Sequence, residues 1–524
     1  MRGDTMTIRI GGLASGIDTD SMVQKLMQAH RIPLTKLTQK KQTFEWQRDA
    51  YRELNTKLTA FRNNSLFNMK LESHVAPKKA TVAGGSTAVQ VSASPNAQAG
   101  SVVLDVQSLA KAASNYGINA IGTEDFAPGT VLAKAFEEGH LTYAGVHNAD
   151  TDEYEMPETF KFKINGTEIT VDTAKDTLNS VITKINRETN VSAFYDSVSG
   201  KISLMSKETG SVNGSDDGLT ISLEDVEGDF LANVLQVEEG SANEITAADA
   251  SLYINGMLTS RSSNSFTING VQITLVKAEP GTPVTINVTN DVDQTVEKIK
   301  QFITEYNDML KYLQDIANQP KYRSFLPLTD EQKKEMSETD ITRWETQAKS
   351  GLLRNDMILT SAISSMRYGA TAVIDTGSAD YRSLSSIGII TGNYSEQGKL
   401  YLEDETQLRK ALEEDPEAVL KLFTATGNGD GNRSDVGIAS RLHEDLKNTL
   451  DQVVVKAGRF ITLADESMLS KQINRVNNDI DAMNRKVAKL ETDYYRKFAA
   501  FEQAISRYNS QAAYLANAFG GGQQ

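Results

Sequence analysis

Matching heptad seams occupy the two ends of this chain, and the stretch between them follows other periods. Near the C-terminus Ile473, Val476, Ile480, Met483, Val487, Leu490 and Tyr494 alternate spacings of three and four. After a four-residue step Phe498, Phe501, Ile505, Tyr508, Ala512, Leu515 and Phe519 carry the pattern on. Such a step is a stutter, a local unwinding of a coiled coil. Near the N-terminus Leu37, Phe44, Tyr51 and Leu58 fall seven apart, with Leu54 and Phe61 at the second seam position and Leu34 ahead of them. A helix over 470–508 would be roughly 60 Å long at about 1.5 Å per residue. Ordering it costs roughly 1.5 kcal/mol per residue, whereas each buried seam side chain returns about 1.5 to 3 kcal/mol. Such a helix does not hold itself. It needs the N-terminal seam, other copies of the chain, or a larger helical assembly, and the pattern leaves an intramolecular hairpin and intermolecular assembly both open.

The period changes twice along the chain. Asp18 or Asp20 can cap a first helix reaching about Arg31, because either carboxylate can accept from the free amides of the opening turn. Pro33 then suits the first turn of a second helix that carries the seam to about Phe67. Pro77 closes that region. From Thr87 the period becomes two, with Val89, Val91, Val102, Leu104 and Val106 alternating with smaller or polar residues as in half-buried strands. A weak repeat follows: FKINGTEITV at Phe162 to Val171 matches FTINGVQITL at Phe266 to Leu275, and LYING at Leu252 to Gly256 echoes its core. Asn-Gly is the preferred pair for a type I′ hairpin turn, since both central residues need positive φ. The spacing of Leu178, Val181, Ile182 and Ile185 predicts a helix between Thr177 and Asn190, ahead of strands near Val191 and Ile202. Past Asn290 one apolar stripe (Val296, Ile299, Phe302, Ile303, Tyr306, Leu310, Leu313) restores the helical period. Thr329 with Gln332 forms a capping box for a helix reaching about Lys349, a further helix follows Leu352, and Asp415 before Pro416 caps a short one ending near Phe423.

Charge separates the middle from the ends. The net charge is -15, which disfavours nucleic-acid binding through a basic surface. Between Ala112 and Ala250 stand 25 acidic and 8 basic residues, so an acidic, exposed head is expected there, while 18–62 holds 9 basic against 5 acidic. The 524 residues include no cysteine, which removes disulfides and thiolate chemistry. No apolar run reaches the roughly 20 residues of a membrane helix, and the opening MRGDTMTIRIGGLASG has no secretory apolar core. That predicts no membrane insertion, and either a cytoplasmic chain or one exported without a cleaved signal.

Nothing in the residues asks for catalysis, cofactor or metal. The five histidines (His30, His74, His140, His147, His443) show no i, i+4 pair of the zinc-helix kind. No phosphate-binding loop, nucleophile elbow or dinucleotide fingerprint occurs. Asn428, Asp430 and Asn432 approach a calcium loop, but Arg433 and Ala439 stand where Gly and Glu are required. Acidic pairs such as Asp216 with Asp217, or Glu137 with Glu138, lie among Gly, Ser and Asn and read as solvated turns.

GGLASGIDTDSMVQKLM at Gly11 to Met27 with PLTKL at Pro33 to Leu37 resembles the N-terminal signature of the bacterial flagellar filament-capping (FliD, hook-associated) family; Gly12, Leu13, Ala14, Ser15, Gly16, Ile17 and Asp18 form its core. SGLLRND (Ser350 to Asp356), LSSIGIITGNYSEQGKLYLED (Leu384 to Asp404), ALEEDPEAVLKLF (Ala411 to Phe423) and the terminal YRKFAAFEQAISRYNSQAAYLANAF (Tyr495 to Phe519) resemble the same family. The segment around FKINGTEITV resembles a β-rich motif shared by flagellins and hook proteins. The resemblance implies a multidomain α+β fold with long terminal coiled-coil helices, a helical leg domain built from both chain halves, and β-rich plate and head domains. Its implied parts are a terminal mobile helical domain (1–45, 460–524), a leg (46–76, 291–459), a plate (77–111, 245–290) and an inserted acidic head (112–244). It further implies a non-enzymatic, ring-shaped homo-oligomer at the distal, extracellular tip of the flagellum that holds flagellin as it folds. Partners implied are flagellin, the flagellar export apparatus and a C-terminus-binding export chaperone. Two readings of the GLASGID segment stay open, a flexible lead and a docking strand. Rival functions are another hook-associated or junction subunit, a surface adhesin using the acidic head, and a surface hydrolase.

Overall fold

The computed structural model describes residues 18–143, 145–148, 153–211, 220–393, 396–459 and 465–520. The chain forms two compact units, one from its two ends (1–75 with 292–524) and one from 76–291.

The end-built unit is helical. Its N-terminal helix runs unbroken over Thr19–Ala60, capped by Asp18, whose carboxylate accepts from the Ser21 N–H at 3.0 Å. That hydrogen bond holds the Asp18 carboxyl below the usual range. Two helices meeting at Pro33 were expected; instead Pro33 lies inside one. A proline there removes one backbone donor, at a cost of about 3 kcal/mol, and because Pro33 is on an exposed turn water can reach the carbonyl left without a partner. Past Ala60 the backbone widens into a π-helix over Phe61–Leu66. Within the bundle, Tyr51, Leu54, Leu58, Phe61 and Leu66 are buried. The stripe on Val292–Asn318 is buried in full, and its Phe302 meets Phe423 of the Pro416–Thr424 helix edge to face at 5.9 Å. Asp415 caps that short helix by accepting from the Ala418 N–H. Thr329 and Gln332 make the expected capping box, but its helix stops after Asp330–Lys334, and a second one, Glu338–Lys349, starts where the Ser337 hydroxyl accepts from the Asp340 N–H. A new N-cap three residues past Lys334 gives the backbone a competing start, so one expected helix becomes two.

In the other unit β-strands dominate around two separate cores. A five-stranded antiparallel sheet has the order Lys78–Val82, Val284–Asn290, Gly100–Ser108, Ala250–Ile254, Met257–Arg261. A three-stranded sheet (Ser265–Ile268, Val271–Leu275, Val89–Ala93) supplies the rest of this first core, which gathers Leu104, Val106, Leu252, Ile273 and Ile286. The first strand, Lys78–Val82, was not expected. Its sequence KKATV offers only two apolar side chains, Ala80 and Val82, for an alternating signal, and Pro77 ends the helical segment immediately before it. The second core lies within 113–247 and gathers Phe160, Phe162, Ile169, Val171 and Phe230 under the helix Leu178–Glu188, whose Leu178, Val181 and Ile185 point inward. Strands Val191–Asp196 and Lys201–Thr209 follow that helix, as the sequence predicts.

The three Asn-Gly pairs at 165–166, 255–256 and 269–270 turn two-residue hairpins, closed by the pairs Ile164 with Thr167, Ile254 with Met257 and Ile268 with Val271. Their φ values are positive at both positions: 48° and 79° at Asn165 and Gly166, 48° and 83° at Asn255 and Gly256, 49° and 80° at Asn269 and Gly270. This is the type I′ geometry whose twist matches that of the flanking strands.

Candidate functional site: the terminal helix pair

The C-terminal helix, Met468–Gly520, packs antiparallel against the N-terminal helix. The direction follows from cross-contacts at both ends of the pair. His30 Nε2 lies 3.1 Å from the Tyr494 hydroxyl and Arg31 lies 3.6 Å from Glu491, while Arg52 donates to Asp465, just ahead of the C-terminal helix, at 2.7 Å. Burial alone would raise the Asp465 pKa, but hydrogen bonds from Ser470 and Ser467 and the Arg52 charge outweigh it and hold the carboxyl low. Lys497 stands 5.6 Å above the Tyr494 ring.

Alongside these polar contacts runs a small apolar seam. Val23, Met27 and Val487 are buried together, with Met483, Leu490, Tyr494, Tyr495 and Phe498 packed around them. Ile473 and Val476 are also buried, and Ile480 is partly so. On the other helix the sequence-predicted residues divide: Leu37 and Phe44 are partly buried, whereas Tyr51 and Leu58 turn into the bundle of the same unit. Tyr51 donates its hydroxyl to Asp356 Oδ2 at 2.5 Å. Asp356 also caps the helix Met357–Ala370 through Oδ1, accepting from the Ile358 N–H at 2.9 Å. The SGLLRND segment thus anchors the middle of the N-terminal helix. The contributions of Val23, Met27 and His30 were missed, although Val23, Met27, His30, Leu34 and Leu37 are spaced four, three, four and three and extend the heptad through Pro33.

Beyond Phe498 the seam turns outward. Ile505 keeps partial cover, but Phe501, Tyr508 and Leu515 are 49%, 71% and 53% exposed. The antiparallel register brings Asp18 opposite about residue 505, so Tyr508 and Leu515 project past the described start of the N-terminal helix. Of the signature, Asp18 is the helix cap; Gly12, Leu13, Ala14, Ser15, Gly16 and Ile17 lie outside the described residues, as do Asp216 and Asp217.

Elsewhere the residues weighed for chemistry have ordinary duties. Glu137 and Glu138 are exposed. The side chains of Asn428, Asp430 and Asn432 each accept from the backbone N–H two residues on, which directs their oxygens into the loop. Among the described residues no three His, Asp or Glu side chains gather as metal ligands.

Residues 247–510 match the family described as Flagellar hook-associated protein 2 C-terminus, 15–113 match its N-terminus counterpart, and 159–208 match the Flagellin hook IN motif. The chain belongs to the flagellar hook-associated protein 2 family. Membership of this family rests also on a relative of that name from Halalkalibacterium halodurans, 32% identical over 98% of this chain and 100% of the relative. Another, from Thermotoga maritima, is 26% identical over 98% of this chain and 96% of its own length. The fold is that of the family: the D1-D2-D3 domains of the Escherichia coli flagellar cap protein FliD superpose with a TM-score of 0.50 at 19% identity, covering 82% of this chain and 99% of that one.

Proposed function

We propose that this chain is a structural, non-enzymatic cap at the distal, extracellular end of the bacterial flagellar filament, promoting insertion and polymerisation of flagellin and preventing its loss. Family membership gives the role, and the outward-turned seam of the C-terminal helix carries the mechanism. The helix is held to Phe498 by its own chain and beyond that presents aromatic and aliphatic side chains to water. Exposed apolar seams on helices are filled by other helices. In the cap those partners are the helical ends of flagellin and of neighbouring cap subunits, and during export a chaperone covering the same C-terminal segment.

The four-part division into terminal helices, leg, plate and inserted head belongs to this reading, supported by the two separate cores within 76–291. Seam residues up to Phe498 hold the terminal helices together, and those beyond it engage the filament. The test is complementation of a strain lacking the chain with Tyr508→Asp/Leu515→Asp. Both positions are exposed, so the fold is expected to stand while filaments shorten and monomeric flagellin accumulates in the medium. Normal filaments from this variant overturn the seam mechanism. Normal filaments from the strain lacking the chain altogether overturn the cap.

A further inference from the structure

The second core of the β-rich unit is covered on one side by a sheet of three strands, Ala112–Tyr116, Lys201–Thr209 and Val191–Asp196, with Lys201–Thr209 in the middle. Its inward side chains, Ala113, Asn115, Ile202, Leu204 and Ala193, are buried. Its outward face carries large apolar groups in register. Ser203 stands between Tyr116 and Phe194 in one row, and Met205 stands between Ser114 and Ser192 in the next, with Ile245 bridged to Ser114. Tyr116, Phe194, Met205 and Ile245 are 42%, 58%, 51% and 52% exposed. Single exposed apolar residues are ordinary, but a contiguous patch of this kind marks an interaction surface.

Charge says what can cover it. Residues 112–250 hold 25 acidic and 8 basic side chains, so two copies of this region repel unless they meet where carboxylates are absent. The two rows carry none. The charges that flank them are satisfied at home: Lys201, paired across from Asp196, donates to the Ile118 carbonyl, Asp196 accepts from Val198 and Ser199, and Lys207, two residues past Met205, donates to the Asn186 and Thr189 carbonyls. What is left is an apolar face without carboxylates in its two rows, with the Lys201 ammonium 6.0 Å from the Tyr116 ring, on an acidic segment and suited to an apolar partner surface.

The same unit displays a second, different apolar patch. On the outward side of the five-stranded sheet Tyr253 lies across from Leu258 on one strand and from Asp105 on the other, where the Asp105 carboxylate is engaged by the Gly281 N–H at 3.0 Å. Val103 on the neighbouring strand and Met257 at the hairpin end are exposed with them, and Met257–Arg261 is a sheet edge. A ring is built by heterologous contact, in which one surface of each copy meets a different surface of the next; a single self-complementary patch yields only a dimer. Resting on the cap reading, which requires a homo-oligomer, we propose that the occupant is a second copy of this chain: the Tyr116, Phe194 and Met205 face of one subunit seats on the Tyr253 and Leu258 hairpin of the next.

The natural chain has no cysteine, so the contact can be tested with introduced pairs in the full-length protein. An equimolar mixture of Phe194→Cys and Leu258→Cys chains is expected to form the mixed disulfide on mild oxidation, while each single variant alone stays uncrosslinked. Phe194→Asp/Met205→Asp is expected to weaken self-association at least 100-fold by sedimentation equilibrium. Its circular dichroism and melting temperature should match wild type, since both side chains already face water. Leu258→Asp should do the same from the other side. Self-association unchanged in both Asp variants, or a Phe194→Cys homodimer in place of the mixed pair, overturns the proposal. Filament growth separates this from the wider reading. Failure of the contact with wild-type chain still restoring filaments sinks only the proposed interface, whereas wild-type chain that does not restore filaments sinks the cap.

Discussion

Removing the Tyr51 hydroxyl tests how the N-terminal helix is anchored to the bundle. Tyr51 is buried, and burial followed by the Asp356 carboxylate pushes its pKa far above the usual tyrosine range, so it is a fixed donor. Its bond to Asp356 is 2.5 Å long, with a charged acceptor, and such bonds contribute about 1.5 to 3 kcal/mol. Tyr51→Phe should therefore destabilise the helical unit by about 2 kcal/mol. Asp356→Ala loses the same bond and also the cap on Met357–Ala370, a further ~1 kcal/mol, for about 3 kcal/mol together. Because one bond is counted in both, the double variant should fall short of the sum by about 2 kcal/mol. Urea unfolding followed by tryptophan fluorescence isolates this unit, since the chain's two tryptophans, Trp46 and Trp344, both lie in it. A Tyr51→Phe shift below about 0.5 kcal/mol, or strict additivity, would refute the reasoning.

Two further outcomes are expected. Burial, with Arg62 and Lys70 nearby, lowers the His443 pKa from its ordinary 6.5 to about 4, so between those values the unfolded chain binds a proton that the native one refuses. Stability is then full above about pH 7 and falls as pH drops from 6.5 towards 4, by on the order of 1 kcal/mol after allowance for its solvent contact. His443→Gln should flatten that part of the urea-midpoint profile, and a slope it leaves untouched counts against the assignment. In the β-rich unit, Gly166 and Gly228 both have positive φ, but a Cβ on Gly166 meets nothing within 4 Å while one on Gly228 comes 2.5 Å from Cδ1 of buried Phe160. Gly166→Ala should cost about 1 kcal/mol and Gly228→Ala about 1 to 3 kcal/mol more, read by calorimetry; equal losses would be inconsistent with the close packing.

Where one local rule governs, the fold was legible. The stripe from Val296 to Leu313 follows the 3.6 period and is buried along its length, and the Asn-Gly pairs at 165–166, 255–256 and 269–270 form the turn their positive φ values require. Misreadings arose where two rules competed. Pro33 is a helix breaker by local chemistry, yet the heptad from Val23 to Leu37 runs through it and packing prevailed. Lys78–Val82 is a strand through its neighbour Val284–Asn290, a partner about 200 residues away that no local pattern reveals. Within the candidate site, the seam letters were visible but their pairing was not. Periodicity tells which side chains want cover without saying which helix supplies it, and the division of Tyr51 and Val23 between bundle and terminal pair depends on Asp356 and Val487, hundreds of residues downstream.

The way the β-rich unit is tied into the chain has a consequence for its evolution. Its incoming and outgoing strands lie side by side, with Lys78 across from Asn290 and the Asp291 N–H donating to the Pro77 carbonyl. The same doorway recurs one level further in, where Lys111 and Ala248 exchange backbone hydrogen bonds around the second core. Each inserted segment is therefore entered and left through two backbone stretches that pair with one another. Lengthening, trimming or replacing the segment between Lys111 and Ala248 leaves both pairings in place, so that stretch of the chain is free to diversify while the rest keeps its sequence.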